Sequence, residues 1–202
     1  MLQADQRRDP ENREYQRAYP VCLAAKASVL LSMQRQLPAR IAAQESLAEL
    51  NRLIGVAGAQ SDWPVQRALS SLRLAEIEQA AGDCAAAQSA IGQFDRLPQE
   101  HQGSILRTHK VRRQLLNARC AMQQRNNQAA HAAYQAAVEN LGPIDERSSV
   151  QMLALAAVLA LETAQVTEQD RLLSILRNTG YRGSFVTSAC QKAGRPQCLE
   201  SG

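Results

Sequence analysis

Apolar residues recur at every third or fourth position over most of this 202-residue chain, which is the spacing of one face of an α-helix. The clearest case lies between Ser104 and Pro143, where two helical patterns flank the short polar turn RNN. The second pattern carries Ala130, Tyr134 and Ala137, which are four and then three residues apart. This spacing puts all three on one stripe of a helix, and the two alanines allow a neighbouring helix to come close.

Similar patterns on either side of this pair predict further helices, which should pair antiparallel because the loops between them are short. One of these helices is expected to bury Ile41, Leu47, Leu50 and Ile54 on one face. The predicted helices cover residues 14–34, 37–54, 64–81 and 84–96, the pair within 104–143, and a further pair within about 147–178.

The composition agrees with a helical fold. Hydrophobic residues make up 45% of the chain and aromatic residues only 3%, and much of the apolar content is alanine and leucine, which favour helix over sheet. Pattern and composition together predict an all-α domain of three to four antiparallel hairpins over residues 14–180, with a flexible lead-in at 1–13 and a tail at 181–202.

The net charge of +4 is distributed unevenly. Residues 101–202 hold 12 Lys and Arg against 7 Asp and Glu, whereas residues 1–100 hold 11 against 12. A basic half permits nucleic-acid binding, and the side chains available for it are Arg107, Lys110, Arg113 and Arg125. A solvated helix face explains the same charges more simply, so nucleic acid is not an expected partner.

Sequence motifs for catalysis or metal binding are absent. The chain contains no GxSxG, HExxH, Gly-rich phosphate loop or nucleotide-binding fingerprint. Its histidines, His101, His109 and His131, form no catalytic pattern, and no CxxC motif or nearby histidine pair is available to bind zinc. We therefore expect a non-enzymatic chain without a cofactor or a metal.

No segment predicts a membrane span or a signal peptide. The most apolar window, Val150 to Leu161, is shorter than the roughly 20 residues that a span requires, and the start of the chain, MLQADQRRDPENRE, is polar. A cytoplasmic protein and a segment of a larger protein would both show these features.

The order of small and large residues around the turns resembles the tetratricopeptide (TPR) repeat. Ala130, Tyr134 and Ala137 match the second helix of that repeat, and Pro143 follows at about the expected distance. The preceding pair has a similar order, formed by Gly82 in the turn and then Ala87, Ile91 and Phe94, although Phe94 occupies a place where a small residue is expected.

The first pair fits the TPR pattern less well. Arg40 and Gln44 occupy the places where a small and an aromatic residue are typical, although the pattern is matched by Leu37, Ile41 and Leu47. Corresponding positions at Gln44, Ile91 and Tyr134 are 47 and then 43 residues apart, against about 34 in the standard repeat. The resemblance therefore implies a divergent TPR-like superhelix of three to four hairpins.

The lead-in DPENREYQR also resembles the opening of the first repeat in large bacterial multidomain TPR proteins, which include membrane-spanning serine/threonine kinases. This resemblance implies a protein- or peptide-binding or sensor module in the periplasmic part of a membrane signalling protein. Contact with the membrane would then be made only through a tethering segment outside this chain. The alternative is a cytoplasmic TPR scaffold that assembles other proteins.

In TPR arrays the first helices of successive hairpins line a concave groove, and the resemblance assigns a peptide-binding groove here. Its side chains would be Leu72, Glu76, Gln79, Arg112, Leu115, Arg119 and Gln123, with the apolar Ala25, Val29 and Met33 from the first repeat. The alternative is that Glu76, Arg112 and Arg119 form ordinary ion pairs between neighbouring helices.

The five cysteines suggest two disulfides. In a stacked array Cys84 and Cys120 lie on adjacent antiparallel helices, close enough for a bridge, although two separate buried thiols would also fit. Cys190 and Cys198 flank a turn containing GRP and are expected to pair, which leaves Cys22 over. Two bridges would imply an oxidising compartment, the periplasm in a bacterium.

Overall fold

The computed structural model describes residues 13–57, 62–104, 106–145, 147–181, 183–195 and 197–199. Within these ranges the secondary structure consists of helices, and no β-strand is found. The all-α prediction is therefore confirmed. The helices are α1 (Arg13–Ser32), α2 (Gln36–Ala57), α3 (Trp63–Ala80), α4 (Cys84–Asp95), α5 (Arg107–Gln123), α6 (Asn127–Leu141), α7 (Val150–Glu162), α8 (Val166–Asn178) and α9 (Ser184–Lys192), with a 3₁₀-helix at Gln99–Ser104.

The chain divides into two compact units, Met1–Ile105 and Leu106–Gly202. In the first unit α1 pairs with α2 and α3 with α4, and α2 packs on α3. In the second unit α5 pairs with α6 and α7 with α8, while α9 packs against α7. The predicted TPR-like superhelix over 14–180 stays a prediction, and the predicted tail at 181–202 contains a helix, α9, which the sequence pattern did not indicate.

One turn closes all four hairpins. Two residues after the first helix of each hairpin lies a residue with positive φ. The N–H of the residue that follows it donates to a carbonyl of the last helical turn, at 2.9 to 3.0 Å. This is the Schellman motif, which satisfies carbonyls that a helix end otherwise leaves unbonded. The positive-φ residues are Gln34 (59°), Gly82 (84°), Arg125 (57°) and Ala164 (56°).

In two of these turns the residue after the positive-φ residue is also the N-cap of the second helix. Asp83 Oδ1 accepts a hydrogen bond from the Ala86 N–H at 2.9 Å, and Asn126 Oδ1 accepts one from the Ala129 N–H at 3.0 Å. Both are N-cap bonds that satisfy a free donor of the first helical turn. Because the end of one helix and the cap of the next occupy consecutive residues, the chain reverses at once and the helices must run antiparallel.

Counting from the positive-φ residue aligns the second helices of the hairpins. Positions 5, 9 and 12 form one stripe, and all of its members except the half-buried Tyr134 are buried. These residues are Ala39, Ala43 and Ser46, then Ala87, Ile91 and Phe94, then Ala130, Tyr134 and Ala137, and finally Gln169, Leu173 and Leu176.

This register corrects the first repeat by one residue. The stripe is formed by Ala39 and Ala43, which are 0% and 1% exposed, and not by Arg40 and Gln44. Ile41 is 48% exposed, so its predicted place on the buried face is wrong. The apolar pattern of this helix is broad enough to fit two registers, and only packing against α1 and α3 selects between them.

Each unit has its own core. In the first, small side chains such as Ala27, Ala39 and Ala42 bring α1 and α2 close and pack with Ile77 of α3. In the second, every residue of α7 from Leu153 to Leu161 is buried, which agrees with the apolar character of this helix around its circumference.

Replacement of alanine by glycine should change the free energy of unfolding in opposite directions at two sites of the second unit, one in a turn and one inside a helix. Ala164→Gly should raise the free energy of unfolding by about 0.5 to 1 kcal/mol, because Ala164 has a left-handed conformation that glycine adopts without steric conflict. Ala132→Gly, at an exposed position inside α6, should lower it by about the same amount. Denaturant unfolding measures both, and an Ala164→Gly variant that loses stability would contradict the role given to the turn.

Candidate functional site

Three of the predicted groove residues belong to the interior. Leu72 and Leu115 are each 1% exposed, and Gln79 is 8% exposed. Leu115 packs with Val111 and Leu153 in the core of the second unit. The sequence places these side chains on an open groove, whereas the structure buries them within their units.

The remaining predicted groove residues keep some exposure. Glu76 forms an ion pair with Arg73 one turn earlier on α3, at 2.5 Å. Arg112 is half-buried and Gln123 is exposed, both on α5. Arg119, between these two on α5, has a side chain that is 20% exposed and forms an ion pair across helices. The alternative interpretation, an ion pair between neighbouring helices, therefore applies to Arg119, whereas the Glu76 pair lies within one helix.

Arg119 is part of a polar cluster that involves four helices of the second unit. Its Nε and Nη2 donate to Glu162 Oε1 of α7, at 2.9 and 2.6 Å. The Tyr134 hydroxyl of α6 donates to Glu162 Oε2 at 3.2 Å. The Arg119 guanidinium carbon lies 5.6 Å from the centre of the Phe185 ring of α9. We call these four residues the Glu162 cluster.

The charged side chains of the Glu162 cluster are largely buried. Both carboxylate oxygens of Glu162 accept hydrogen bonds, and its side chain is only 15% exposed. Burial raises the pKa of Tyr134, and the nearby Glu162 carboxylate raises it further, while Arg119 opposes the shift. The tyrosine therefore remains a hydrogen-bond donor at any physiological pH, and the Glu162 carboxylate keeps a hydrogen-bond donor on each of its oxygens.

The basic residues considered for nucleic acid have varied surroundings. Arg107 Nη1 donates to the Leu141 carbonyl at the end of α6, at 3.4 Å. Arg125 is exposed and forms the turn after α5, Lys110 is exposed, and Arg113 is half-buried. Arg107 is the first residue of α5 and Arg125 lies past its last residue, so about 24 Å of helix separates them and the four groups do not form one compact patch.

The structure joins Cys190 and Cys198 in a disulfide with a Cα–Cα distance of 6.1 Å, the pairing that the sequence predicts. Cys84 and Cys120 are both buried and belong to different compact units. The disulfide predicted between these two stays a prediction. Cys22 is exposed on α1.

A contact that the sequence did not indicate fixes the disulfide-bonded tail. Arg195 donates from Nη1 to Gln169 Oε1 at 3.1 Å and from Nη2 to Asp170 Oδ1 at 2.7 Å, both on α8. Gln169 Nε2 in turn donates to the Ala160 carbonyl of α7 at 3.1 Å. The turn before Arg195, with Gly194 at a φ of 72°, repeats the Schellman geometry of the hairpins. Gly194 was therefore the one sign in the sequence that a helix ends before this segment.

The described residues contain no group of three or more His, Cys, Asp or Glu side chains placed to hold a metal ion. Among the helices of that part of the chain, none is both long and apolar enough to cross a membrane.

The fold and its repeated turn define a class, an all-α protein built from antiparallel helical hairpins. No family model matches the chain, and no curated protein or solved structure is similar to it.

Removing the carboxylate of the Glu162 cluster should be costly. Glu162→Ala should lower the free energy of unfolding by about 2 to 3 kcal/mol, because Arg119 and Tyr134 lose their acceptor in a largely buried place. Glu168→Ala removes an exposed ion pair with Arg171 and should change stability by less than about 0.5 kcal/mol. Similar losses for the two variants in denaturant unfolding would show that the cluster adds nothing beyond a surface ion pair.

The pKa of Tyr134 predicts a loss of stability at high pH. Because the folded-state pKa is raised above the ordinary value of 10.0, the unfolded chain releases this proton first, and stability falls as the pH rises above about 10, by up to about 1.4 kcal/mol per pH unit. Tyr134→Phe should flatten this fall between pH 9 and about 11. Unfolding curves of the two proteins that run parallel across this range would contradict the prediction.

Proposed function

We propose that this chain is a non-enzymatic module of the TPR-like class that binds a protein or peptide. The observation that carries the proposal is the shared register of four hairpins, each closed by the same turn and each burying the same stripe of its second helix. Repeat proteins of this build use the exposed faces of successive helices to bind extended ligands.

The row of side chains on α5 supports a peptide ligand. Arg112, Arg119 and Gln123 are spaced by seven and four residues, which puts them on one face of the helix. The 11 residues from Arg112 to Gln123 extend over about 16 Å, a length that about five residues of an extended peptide match. Arg119 is largely buried and paired with Glu162, so Arg112 and Gln123 are the members of this row that can supply a cation and an amide to main-chain and acidic groups.

We further propose that the chain serves as the periplasmic part of a bacterial membrane signalling protein such as a serine/threonine kinase. The Cys190–Cys198 disulfide is compatible with an oxidising compartment, and the lead-in DPENREYQR resembles the first repeat of such proteins. A cytoplasmic scaffold is the second candidate, which reduced cysteines would favour.

A peptide library tests the binding proposal. The full chain, immobilised through its terminus, should enrich a family of peptides from a random 12-residue phage library. Gln123→Glu and Arg112→Glu should each weaken the best peptide at least about 10-fold in fluorescence anisotropy, since each puts a negative charge in a row proposed to face main-chain carbonyl and acidic groups. Arg177→Glu, a charge change on the exposed side of α8, is the matched control and should leave affinity unchanged. No enrichment, or equal losses for all three variants, would reject the α5 row as the site.

Thiol alkylation without reduction, followed by intact mass, tests the compartment. In protein isolated from its native host, Cys190 and Cys198 should be protected, and Cys84 with Cys120 as well if the predicted second bridge forms. Peptide mapping assigns the pairs, and a sample reduced before alkylation is the control. Five alkylated cysteines in the unreduced sample would contradict the periplasmic assignment.

A further inference from the structure

The segment after α9 repeats the start of a hairpin's second helix. The turn at Gly194 has the bond found in the four hairpins, because the Arg195 N–H donates to the carbonyl five residues earlier, at 2.8 Å. Counted from Gly194, positions 3, 4 and 5 are Gln197, Cys198 and Leu199, which are exposed, half-buried and buried. Three of the four hairpins have the same order of exposure at these positions, namely at 37–39, 85–87 and 167–169. Leu199 therefore takes the first place of the buried stripe.

Three kinds of contact hold this segment on the second unit. Leu199 is 5% exposed and belongs to the core of that unit. Arg195 donates hydrogen bonds to two side chains at the start of α8. Cys198 is bridged to Cys190 of α9. We call Arg195 together with residues 197–199 the clasp.

The non-covalent contacts of the clasp are few in comparison with those of a second helix. The second helices of the four hairpins are 12 to 22 residues long, whereas Leu199 is the one buried side chain in the described part of the clasp. The Arg195–Asp170 ion pair joins side chains that are 39% and 59% exposed, so solvent screens it. Because ordering each residue costs conformational entropy, a disulfide that restricts the open state decides whether the clasp stays closed.

The disulfide is accessible from solvent on one side only. Cys190 is 0% exposed, whereas Cys198 is half-buried and follows the exposed Gln197. Thiol–disulfide exchange depends on which sulfur an attacking thiolate can reach, and exposed bridges are the ones that exchange readily. A reductant therefore meets the bridge at Cys198, on the clasp itself.

We propose that the Cys190–Cys198 disulfide makes the clasp a redox-sensitive switch, which is closed while the bridge is intact and is released from the second unit when a dithiol reduces it. A thiolate of the dithiol attacks Cys198 Sγ, the S–S bond breaks, and Cys190 leaves as a thiolate that takes up a proton. The second thiol of the reductant then attacks the mixed disulfide and frees Cys198. Two electrons and two protons thus pass to the cysteines from the dithiol, which becomes a disulfide.

Release of the clasp changes the surface of the second unit without opening its hairpins. Leu199 leaves the core, Cys190 of α9 becomes uncovered, and Gln169 loses the bond that Arg195 donates to it. The hairpins keep the turns and the buried stripes that hold them. This switch operates whatever the chain binds, so it does not rest on the proposed function.

Alkylation rates of the individual cysteines test the switch in the full chain. The protein is reduced with a dithiol, freed of the reagent without oxygen and labelled with N-ethylmaleimide, and peptide mass spectrometry follows each cysteine. Cys22 is exposed and Cys120 is buried, so they give the reference rates of the two environments in the same sample. Cys190 should react within about 10-fold of the rate of Cys22 and at least about 100-fold faster than Cys120.

Two outcomes of this experiment would overturn the proposal. If Cys190 reacts as slowly as Cys120, the clasp stays closed without its bridge. If Cys120 becomes as reactive as Cys190, reduction opens the whole second unit and not the clasp alone.

A cysteine variant separates loss of the bridge from any other effect of the dithiol. Cys198→Ser should make Cys190 reactive at nearly the rate of Cys22 without any reductant. Cys22→Ser is the matched control, since it removes a thiol outside the bridge, and its Cys190 should stay unreactive until the dithiol is added. A Cys198→Ser protein in which Cys190 reacts as slowly as Cys120 would contradict the switch.

Amide hydrogen exchange, measured by NMR in the oxidised and the reduced protein, gives an independent readout. The Cys198 N–H donates to the Arg195 carbonyl at 3.1 Å, and reduction should speed its exchange at least about 10-fold. The control is the Ala39 N–H, which donates to the Arg35 carbonyl at 3.0 Å in the first hairpin and should exchange equally in both states. Reoxidation should restore the slow exchange of Cys198. Equal exchange of Cys198 in both states, or a change that reoxidation does not reverse, would overturn the proposal.

Discussion

The architecture of this protein depends on one backbone event, the return of the chain through a residue in the left-handed conformation at the end of each first helix. At Gly82 and Arg125 this residue is followed at once by a side chain that caps the next helix. The two helices therefore run antiparallel and lie close, and their facing stripes must be small or well matched. The buried alanines of the second helices and the buried run from Leu153 to Leu161 in α7 are consequences of this constraint.

The polar interactions of the second unit follow from the same constraint. Each turn fixes the two helices of one hairpin relative to each other but does not fix one hairpin relative to the next, and buried polar groups can define that packing. Glu162 lies at the end of α7 and accepts bonds from Arg119 and Tyr134, which belong to the preceding hairpin. Phe185 brings α9 to the same place. One carboxylate thus relates four helices whose turns alone would not fix their packing.

The sequence predicted the helices and the all-α fold because helical periodicity is a local property. It predicted the turns at Gly82 and Asn126, where glycine and asparagine have their own conformational preferences, but gave no signal at Gln34 or Ala164, which adopt the same turn through packing. It misplaced Leu72 and Leu115, since a helical stripe that faces a partner looks like one that faces a groove. The cross-helix contacts of Glu162 and Arg195 depend on tertiary packing, which periodicity does not encode.

Gln169 distinguishes the fourth hairpin from the other three. In the other three hairpins the equivalent residue is alanine, whose side chain has no hydrogen-bonding group. Here an amide accepts a bond from Arg195 and donates one to Ala160. The C-terminal segment therefore binds to the one hairpin of the four that has an amide at this position. The position of the C-terminal segment is therefore set by one amide side chain of the fourth hairpin and not by the backbone geometry that all four hairpins share.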